Sequence, residues 1–386
     1  MTRDNKLLAL ALLLWGFGEG LFLYIEPLYL RELGADPVAT GSALAIAALT
    51  GAFAHLPAGY LADHYGRKRV ILGGWLMAVA AGLLMFAANS LTLFVIALAL
   101  YSSTIFVVTP INAYVAEARG GQSLQRALTL VYSGFWAGTI FSPSLGGWMG
   151  QTFGLRYTFG AAFFLFTLSA VAIGCLKPQP ITHAAHGEWR YRPLLRNRAF
   201  LGYLLVGFVA LLAIQIGLPL MPTFAQEVRG FDVASVGLLG SLGSLGIVLT
   251  NAVMGHRAPR PGLLIALVIA AVCMAALLTL PGWPGLAVAY LLRAGYSLGH
   301  AMVSAQTGQL VGEAETGVAF GLSETVASAA MMVGPLVAGV LYAQSPTRPF
   351  QISLGVIALA IALAWWRAPR PAAAPEAVTL SPLRDG

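Results

Sequence analysis

The sequence consists of long apolar stretches that alternate with short polar connections. Crossing the hydrocarbon core of a membrane takes about 20 apolar residues as an α-helix. Because lipid offers the backbone no hydrogen-bond partners, such stretches are expected to be helical. Six of them cover 7–30, 38–62, 70–88, 92–116, 127–150 and 157–176. A second set covers 199–222, 233–255, 263–281, 284–308, 318–343 and 350–366.

A polar segment separates the two sets of six. We therefore predict an all-α membrane protein of twelve transmembrane helices in two pseudo-symmetric six-helix bundles, at 1–176 and 199–367. Residues 177–198 are predicted to form a cytoplasmic linker, which either lies at the lipid headgroups or is a solvated connector. Residues 368–386, rich in proline and alanine, are predicted to be a disordered cytoplasmic tail.

Two prolines support an internal repeat between the sets. An offset of 192 residues maps the first apolar stretch onto the seventh and places Pro27 on Pro219. The same offset places Pro143 on Pro335. Repeats of this kind are common in membrane transport proteins.

Composition and charge agree with a membrane protein. Hydrophobic residues make up 58% of the chain and charged residues 10%, against about 25% charged in soluble domains. The net charge of +7 comes from basic residues between apolar stretches, so no nucleic-acid partner is expected. Of the 22 Lys and Arg residues, 17 fall in connections on the side of the N-terminus. This bias predicts a multi-pass protein of the cell (inner) membrane with both termini cytoplasmic.

The sequence offers little support for an enzyme. Its two cysteines lie in apolar stretches, and no metal-binding cluster, H-E-x-x-H motif or P-loop occurs, so neither a metal nor a cofactor is expected. Gly295-Tyr296-Ser297-Leu298-Gly299 matches the nucleophile elbow of hydrolases. That motif requires a strand-to-helix turn, whereas this copy lies in a predicted helix. Its glycine spacing is better explained as a helix-packing surface.

A polar motif connects the second and third predicted helices. It reads Gly59-Tyr60-Leu61-Ala62-Asp63-His64-Tyr65-Gly66-Arg67-Lys68-Arg69-Val70-Ile71. At every defining position it resembles the G-x-L-A-D-x-x-G-R-K-x-x-[IL] signature of the major facilitator superfamily, whose members are secondary transporters. Physically, Gly59 allows close helix approach and Gly66 a tight turn, while Arg67 and Lys68 anchor the cytoplasmic face.

The resemblance implies a gate at this motif. In the superfamily, the carboxylate and arginine of the motif form a charge network that latches the two halves in the outward-open state. Asp63 and Arg67 occupy those positions here. Arg119 or Arg126, after the fourth predicted helix, could complete the network. The corresponding connection of the second half, 255–260, has no acid, so the latch is expected to be asymmetric.

A second segment, in the fifth predicted helix, favours export. It resembles the G-x-x-x-G-P-x-x-G-G segment of the exporting antiporter branch, and the eleventh helix repeats the theme around Pro335. Small residues and a proline would also explain both segments, because they bend and pack a helix. That explanation says nothing about the direction of transport. The arginine that drug exporters usually have in helix 4, near Leu98, is absent. The export-like segment of the fifth predicted helix consists of Gly138, Ser142, Pro143, Gly146 and Gly147.

Two charges are predicted near the middle of the membrane. An ionisable group at that depth is costly unless it is paired or hydrated, which makes it a functional candidate. Glu19 lies about 18 Å from the inner end of helix 1, and Arg293 about 14 Å from the outer end of helix 10. Helices 1, 4, 7 and 10 line the central cavity in the superfamily. The resemblance therefore places Glu19 and Arg293 across that cavity.

Other polar residues are weaker candidates. Glu26 shares a helix face with Glu19 but could equally snorkel to the interface. His300 is either pH-sensitive or a packed, hydrogen-bonded histidine. Glu324 and His55 fit the gate better than the substrate site. Further cavity contacts are predicted at Tyr296, Gln215, Tyr101 and Asn112.

The combined hypothesis is alternating-access transport of a small organic solute, with proton-coupled efflux (antiport) favoured. Proton-coupled symport of a sugar, an amino acid or an organic anion remains open, as does a channel or membrane sensor. The expected partners are the substrate, protons and the lipid bilayer, and the protein is expected to be a monomer.

Overall fold

The structure is a computed structural model, and it describes residues 1–55, 58–179, 194, 196–312 and 315–367. The predicted tail at 368–386 and most of the predicted linker lie outside the described residues. Within the described part, the chain is α-helical apart from turns, short connections and one 3-10 segment. The prediction of an all-α membrane protein is confirmed.

The helices of the described residues form twelve spans, which we number α1 to α12 in chain order. In the first half, α1 comprises Arg3–Phe22 and Glu26–Glu32, and α2 comprises Pro37–Ala54 and Ala58–Tyr65. Span α3 is Arg67–Ala87, and α4 comprises Leu91–Ser103, the 3-10 segment Thr104–Val107 and Val108–Glu117. Spans α5 and α6 are Leu124–Phe153 and Arg156–Gly174.

The second half repeats this arrangement. Span α7 comprises Arg198–Gly217 and Met221–Glu227, α8 is Val233–Met254, and α9 is Pro259–Thr279. Span α10 comprises Gly282–Leu292 and Gly295–Gln309. Spans α11 and α12 are Thr316–Gln344 and Arg348–Arg367.

Ten spans of the described residues contain a helix long and apolar enough to cross a membrane. The other two, α5 and α10, deviate for visible reasons. Many glycine, serine and threonine residues lower the hydropathy of α5, and a break after Leu292 divides α10 into two shorter helices. Both pack among the other spans.

Interruptions occur in α1, α4, α7 and α10, where the sequence predicted continuous helices. In α1 and α7 a new helix starts with proline among its first residues, Pro27 and Pro222. Proline fits there because the first turn needs no backbone donor. In α4 the 3-10 segment precedes Pro110, which cannot donate a backbone hydrogen bond into the preceding turn. Apolar runs alone do not show such breaks.

The internal repeat is present, but its offset varies. Pro143 and Pro335 each occupy the twentieth position of α5 and α11, as an offset of 192 predicts. In α1 and α7 the helices Arg3–Phe22 and Arg198–Gly217 have equal lengths, and so do Glu26–Glu32 and Met221–Glu227. Their offset is 195, which pairs Pro27 with Pro222. The predicted pairing of Pro27 with Pro219 was wrong.

Two seams join the halves. Span α2 packs on α11, and α5 packs on α8. We call the end of the bundle where α1 begins and α12 ends the terminal end, and the opposite end the distal end. Close contacts at both seams lie toward the distal end. There Gly41 packs on Gly339, and Gly147 on Gly237.

Candidate functional site

A central cavity of about 590 Å³ lies between the halves. Its lining comes from both halves and includes residues of the interrupted spans α1, α4, α7 and α10. Lining residues nearer the terminal end, such as His55, Ile105 and Val108, are exposed. Because the distal seams are closely packed, the cavity is open toward the terminal end.

One face of α1 forms the acidic side of the cavity. Trp15, Glu19, Phe22 and Glu26 all line it, as their spacing predicted. The indole N–H of Trp15 donates a hydrogen bond to Glu19 Oε2 over 3.2 Å. No ion pair within 4.0 Å involves Glu19 or Glu26 among the described residues. The cavity therefore contains two carboxyl groups without a basic partner.

Aromatic rings surround Glu19. Trp15 packs on Trp75 with ring centroids 4.5 Å apart, and on Tyr101 at 6.1 Å. Tyr101 lines the cavity with 9% of its surface exposed. Its hydroxyl lies beside Glu19 but has no hydrogen-bond partner of normal geometry. Tyr101 thus places a hydroxyl next to the Glu19 carboxyl in the cavity wall.

Arg293 lies at the break in α10 and also lines the cavity. Its guanidinium stands 4.6 Å from the ring centroid of Tyr24 in α1. Gly243 in α8 leaves the space for it, because a Cβ there would lie 3.0 Å from Arg293 Cδ. Arg293 has no carboxylate within 4.0 Å in the part of the chain that the structure describes. It shares the cavity with Glu19 but does not pair with it.

A second polar group lies between α7, α10 and α11. Gln215 lines the cavity beside Tyr296, whose ring stacks on that of His300. His300 Nε2 lies 3.0 Å from Glu324 Oε2, and Ser304 donates to Glu324 Oε1 over 3.2 Å. Glu324 is thus joined to the predicted cavity residue His300. It lies on the terminal side of the cavity lining, one turn from the lining residue Ser328.

The predicted cavity residues thus divide into two groups. Glu19, Glu26, Arg293, Gln215 and Tyr101 line the cavity, whereas Tyr296, His300 and Asn112 contact it indirectly. Asn112 accepts a hydrogen bond from the hydroxyl of the lining residue Tyr132 over 2.9 Å.

Sequence reasoning missed several residues of the site. Tyr24 and Gly243 place Arg293, and Tyr132 orients Asn112. No local pattern signals these residues, because each contact joins separate spans. The aromatic lining next to Glu19 differs from these, because Trp15 and Phe22 share a helix face with Glu19 by their spacing.

The distal end is closed by polar contacts as well as by glycines. Arg31 Nε lies 2.7 Å from Glu227 Oε1, which joins α1 to α7 across the halves. The hydroxyl of Tyr342 in α11 donates to Glu227 Oε2 over 3.3 Å. Ser144 and Ser241 are hydrogen-bonded at 2.7 Å across the seam of α5 and α8.

The motif between α2 and α3 forms a tight turn at the terminal end. Gly66 has φ of 84°, a conformation that favours glycine, as the motif predicted. Arg67 donates to the carbonyl of Ala113 over 3.2 Å and to Gln179 Oε1 over 3.0 Å. Its guanidinium lies 4.0 Å from Glu117, an acid that sequence reasoning missed. The partners of Arg67 therefore belong to its own half and to Gln179 just after it.

The structure describes the contacts of some of the remaining gating residues and not of others. Lys68 donates to the carbonyl of Gly174 over 2.9 Å. Arg119 and Arg126 are exposed, and neither forms an ion pair within 4.0 Å among the described residues. The side chain of Asp63 and the surroundings of Gly59 lie outside the described residues, so the predicted charge network stays a prediction.

The segment around Pro143 is a packing surface between three spans. Gly138 packs on the backbone of Leu13 and Phe17, and Gly146 on that of Leu21, which brings α5 against α1. Ser142 Oγ donates to the carbonyl of Gly138. Gly147 contacts α8. Pro335 lines the cavity, and its carbonyl contacts Gly41.

The hydrolase-like motif lies entirely within the helix Gly295–Gln309. Ser297 Oγ accepts a hydrogen bond from Asn251 over 2.8 Å. The strand-to-helix turn that exposes a catalytic serine is therefore lacking at this motif, and Ser297 serves helix packing.

Comparison with known proteins decides the family. The sequence profile of the Major Facilitator Superfamily matches residues 8–313 and 247–384. The chain belongs to the major facilitator superfamily. It is a membrane transporter rather than an enzyme, and the resemblance drawn from its motif is confirmed.

Relatives that match this transporter over most of their length have names that refer to drug resistance. It is 24% identical to Multidrug resistance protein 1 of Bacillus subtilis, over 91% of this chain and 93% of that protein. It is 21% identical to the Quinolone resistance protein NorA of Staphylococcus aureus, over 92% and 94% of the two chains.

Solved structures of the same fold have varied substrates. The nucleoside transporter NupG superposes with a TM-score of 0.78 at 14% identity, over 95% of this chain and 98% of NupG. The human organic anion transporter MFSD10 superposes with a TM-score of 0.65 at 17% identity, over 94% of this chain and 99% of MFSD10. At these identities the likeness establishes the fold alone.

Proposed function

We propose that this transporter expels a small aromatic solute with a positively charged group, in exchange for protons, by alternating access. The observation behind this proposal is Glu19, a carboxyl group with no basic partner in a cavity walled by Trp15 and Tyr101. Such a carboxyl can bind either a proton or a cationic group. Competition between the two for one site is the simplest basis for antiport. Aromatic rings add attraction for a cation and for planar apolar solutes.

The relatives support the direction of transport. Two full-length relatives have names that describe drug resistance, and a segment of α5 resembles that of exporting antiporters. The lack of a basic residue at Leu98, which lines the cavity, means that proton transfer must use groups other than those of typical drug exporters. Glu19 and Glu26 are the carboxyl groups within the lining of the described cavity.

Proteoliposomes can test this function with a fluorescent aromatic cation, the ethyl ester of rhodamine B. Vesicles loaded with the dye are placed in acidic or alkaline medium, with protein-free vesicles as the control for leakage. Antiport predicts faster protein-dependent exit into acidic medium, because protons then enter as the dye leaves. Faster exit when the lumen is the acidic side would instead support symport.

Arg293 favours a second candidate, the symport of an organic anion with protons. The same vesicles loaded with an aromatic carboxylic acid distinguish it, since its exit would accelerate with an acidic lumen. A channel would show neither saturation nor counterflow.

We further propose that both termini are cytoplasmic, which would make the structure inward-open. Cysteines at Asn89, in the distal connection, and His256, in the terminal one, provide the test. Cys175 is exposed and must first be replaced by serine. In intact cells an impermeant thiol reagent should label Asn89→Cys and not His256→Cys. The reverse pattern would show the opposite orientation.

The motif loop is proposed to hold the terminal end closed in the opposite state of the cycle. Asp63→Asn removes the charge and keeps the shape, so it should slow transport while membrane insertion stays normal. Arg67, now bound to Ala113 and Gln179, would exchange these partners as the end closes. Transport kinetics and protein content of the membrane are measured together. Unchanged kinetics in Asp63→Asn would exclude this latch.

A further inference from the structure

The charge of Arg293 has no counterpart in the structure around it. An arginine side chain stays protonated under all physiological conditions, whereas a carboxyl can become neutral by taking up a proton. In the described residues its guanidinium contacts the ring of Tyr24 and lacks an ion-pair partner within 4.0 Å. A permanent charge at bilayer depth needs a partner or water.

The surroundings of Arg293 hold it at the cavity. Tyr24 stacks on one side, and its hydroxyl lies 3.4 Å from Ser244 Oγ. Tyr290 packs 6.2 Å from Tyr24, and its buried hydroxyl has no hydrogen-bond partner. Gly243 provides the space beside the side chain. Residues of three spans thus hold the Arg293 guanidinium in place, and the side that they leave uncovered faces the cavity.

The same cavity presents the opposite charge on another wall. Glu19 and Glu26 line it from α1 and are likewise without a basic partner. Apolar and aromatic side chains make up much of the remaining lining, with Phe22 and Leu98 among them. Direct neutralisation of Arg293 by Glu19 is not observed. A ligand with both charges, held apart by an apolar body, would satisfy both places at once.

We infer that the preferred substrate is a zwitterion: an aromatic solute whose cationic group faces Glu19 and whose carboxylate binds Arg293. This inference rests on the proposed function and narrows its substrate class. The carboxylate contact does not depend on the protonation of Glu19. Arg293 would therefore keep the solute in place while a proton displaces its cationic group from the acid.

Two dyes with one ring system test the inference. Rhodamine B is a zwitterion with a free carboxylate, and its ethyl ester lacks the negative charge and is a cation. Binding of both to the purified full-length transporter is measured by fluorescence polarisation. A hydrogen bond to a charged group predicts about tenfold tighter binding of the zwitterion.

Substitutions at Arg293 separate a binding role from a structural one. Arg293→Gln should bring the affinities for the two dyes together, and Arg293→Lys should keep a preference for the zwitterion. Glu19→Gln should weaken the binding of both dyes. Equal weakening of both dyes by Arg293→Gln would assign Arg293 a structural role and overturn the inference.

The outcomes also separate the inference from the proposed function. If the ester binds and is driven by a proton gradient, but the zwitterion binds no better, the inference fails and the proposed function stands. If neither dye binds, both fail. If the zwitterion binds more tightly and Arg293→Gln removes the difference, the inference holds.

Discussion

Replacing Glu19 by glutamine is expected to abolish gradient-driven transport, while solute exchange continues at dye concentrations high enough to offset the weaker binding of this variant. Glutamine has nearly the same shape and its amide oxygen can still accept the hydrogen bond from Trp15. It cannot bind or release a proton. In proteoliposomes with an imposed pH difference, movement of the dye ester through Glu19→Gln should fall to the level of protein-free vesicles. Exchange of labelled for unlabelled dye without a gradient should continue.

The control for this variant is a second carboxyl outside the cavity lining. Glu324 forms hydrogen bonds with His300 and Ser304, so Glu324→Gln tests whether any carboxyl between the halves has the same effect. Coupling through Glu19 predicts that Glu324→Gln retains a response to the gradient. If Glu19→Gln still responds to the pH difference, Glu19 is not the coupling residue. Glu26 would then be tested next.

Much of the fold followed from the sequence because lipid restricts the choice of backbone structure. The need to satisfy every backbone group makes long apolar runs helical, and the twelve predicted stretches correspond to the twelve spans. The interruptions of the helices could not be predicted in this way, because a run such as 7–30 is apolar on both sides of its break. Only Pro27 hinted at the new helix that starts at Glu26.

The site was predictable where the cost of a buried charge singles out a residue. Glu19 and Arg293 were found in this way, and both line the cavity. Their immediate partners were not, since Tyr24 reaches Arg293 across the two halves of the chain. The pairing of Glu324 with His300 was also missed. Glu324 was assigned to the gate and His300 to the cavity, although adjacent spans bring the two side chains together.

The closed distal end raises the question of what must change for the cavity to open there. Arg31 and Glu227 form one contact across the halves, but each side chain is about a third exposed. Exposed ion pairs contribute little, about 0–1 kcal/mol. The close glycine contacts impose a stronger condition, because packed backbones tolerate no added atom. The alternation of the transporter between its two states therefore depends on glycine at the seams.

Replacing Gly147 by valine is accordingly expected to disfavour closure of the distal end and to slow transport. A Cβ at this position would lie 2.7 Å from the Cα of Gly237 and 2.8 Å from the carbonyl oxygen of Val233. Overpacking of this kind costs about 1–3 kcal/mol, which shifts the balance between the two states about fivefold to more than a hundredfold. A cysteine at Leu23, which lines the cavity, should then react with an impermeant reagent added from the distal side.

The matched control is Gly73→Val, since a Cβ at Gly73 in α3 meets no atom within 4 Å. It makes the same chemical change in a helix but leaves both seams intact, so transport and labelling should resemble those of the parent. Gly147→Ala should lie between the two, because its smaller side chain demands less separation of α5 and α8. Size-exclusion chromatography checks that each variant is folded. Normal transport by a folded Gly147→Val protein would show that the distal end closes without this contact, and α2 with α11 would then have to form the seal.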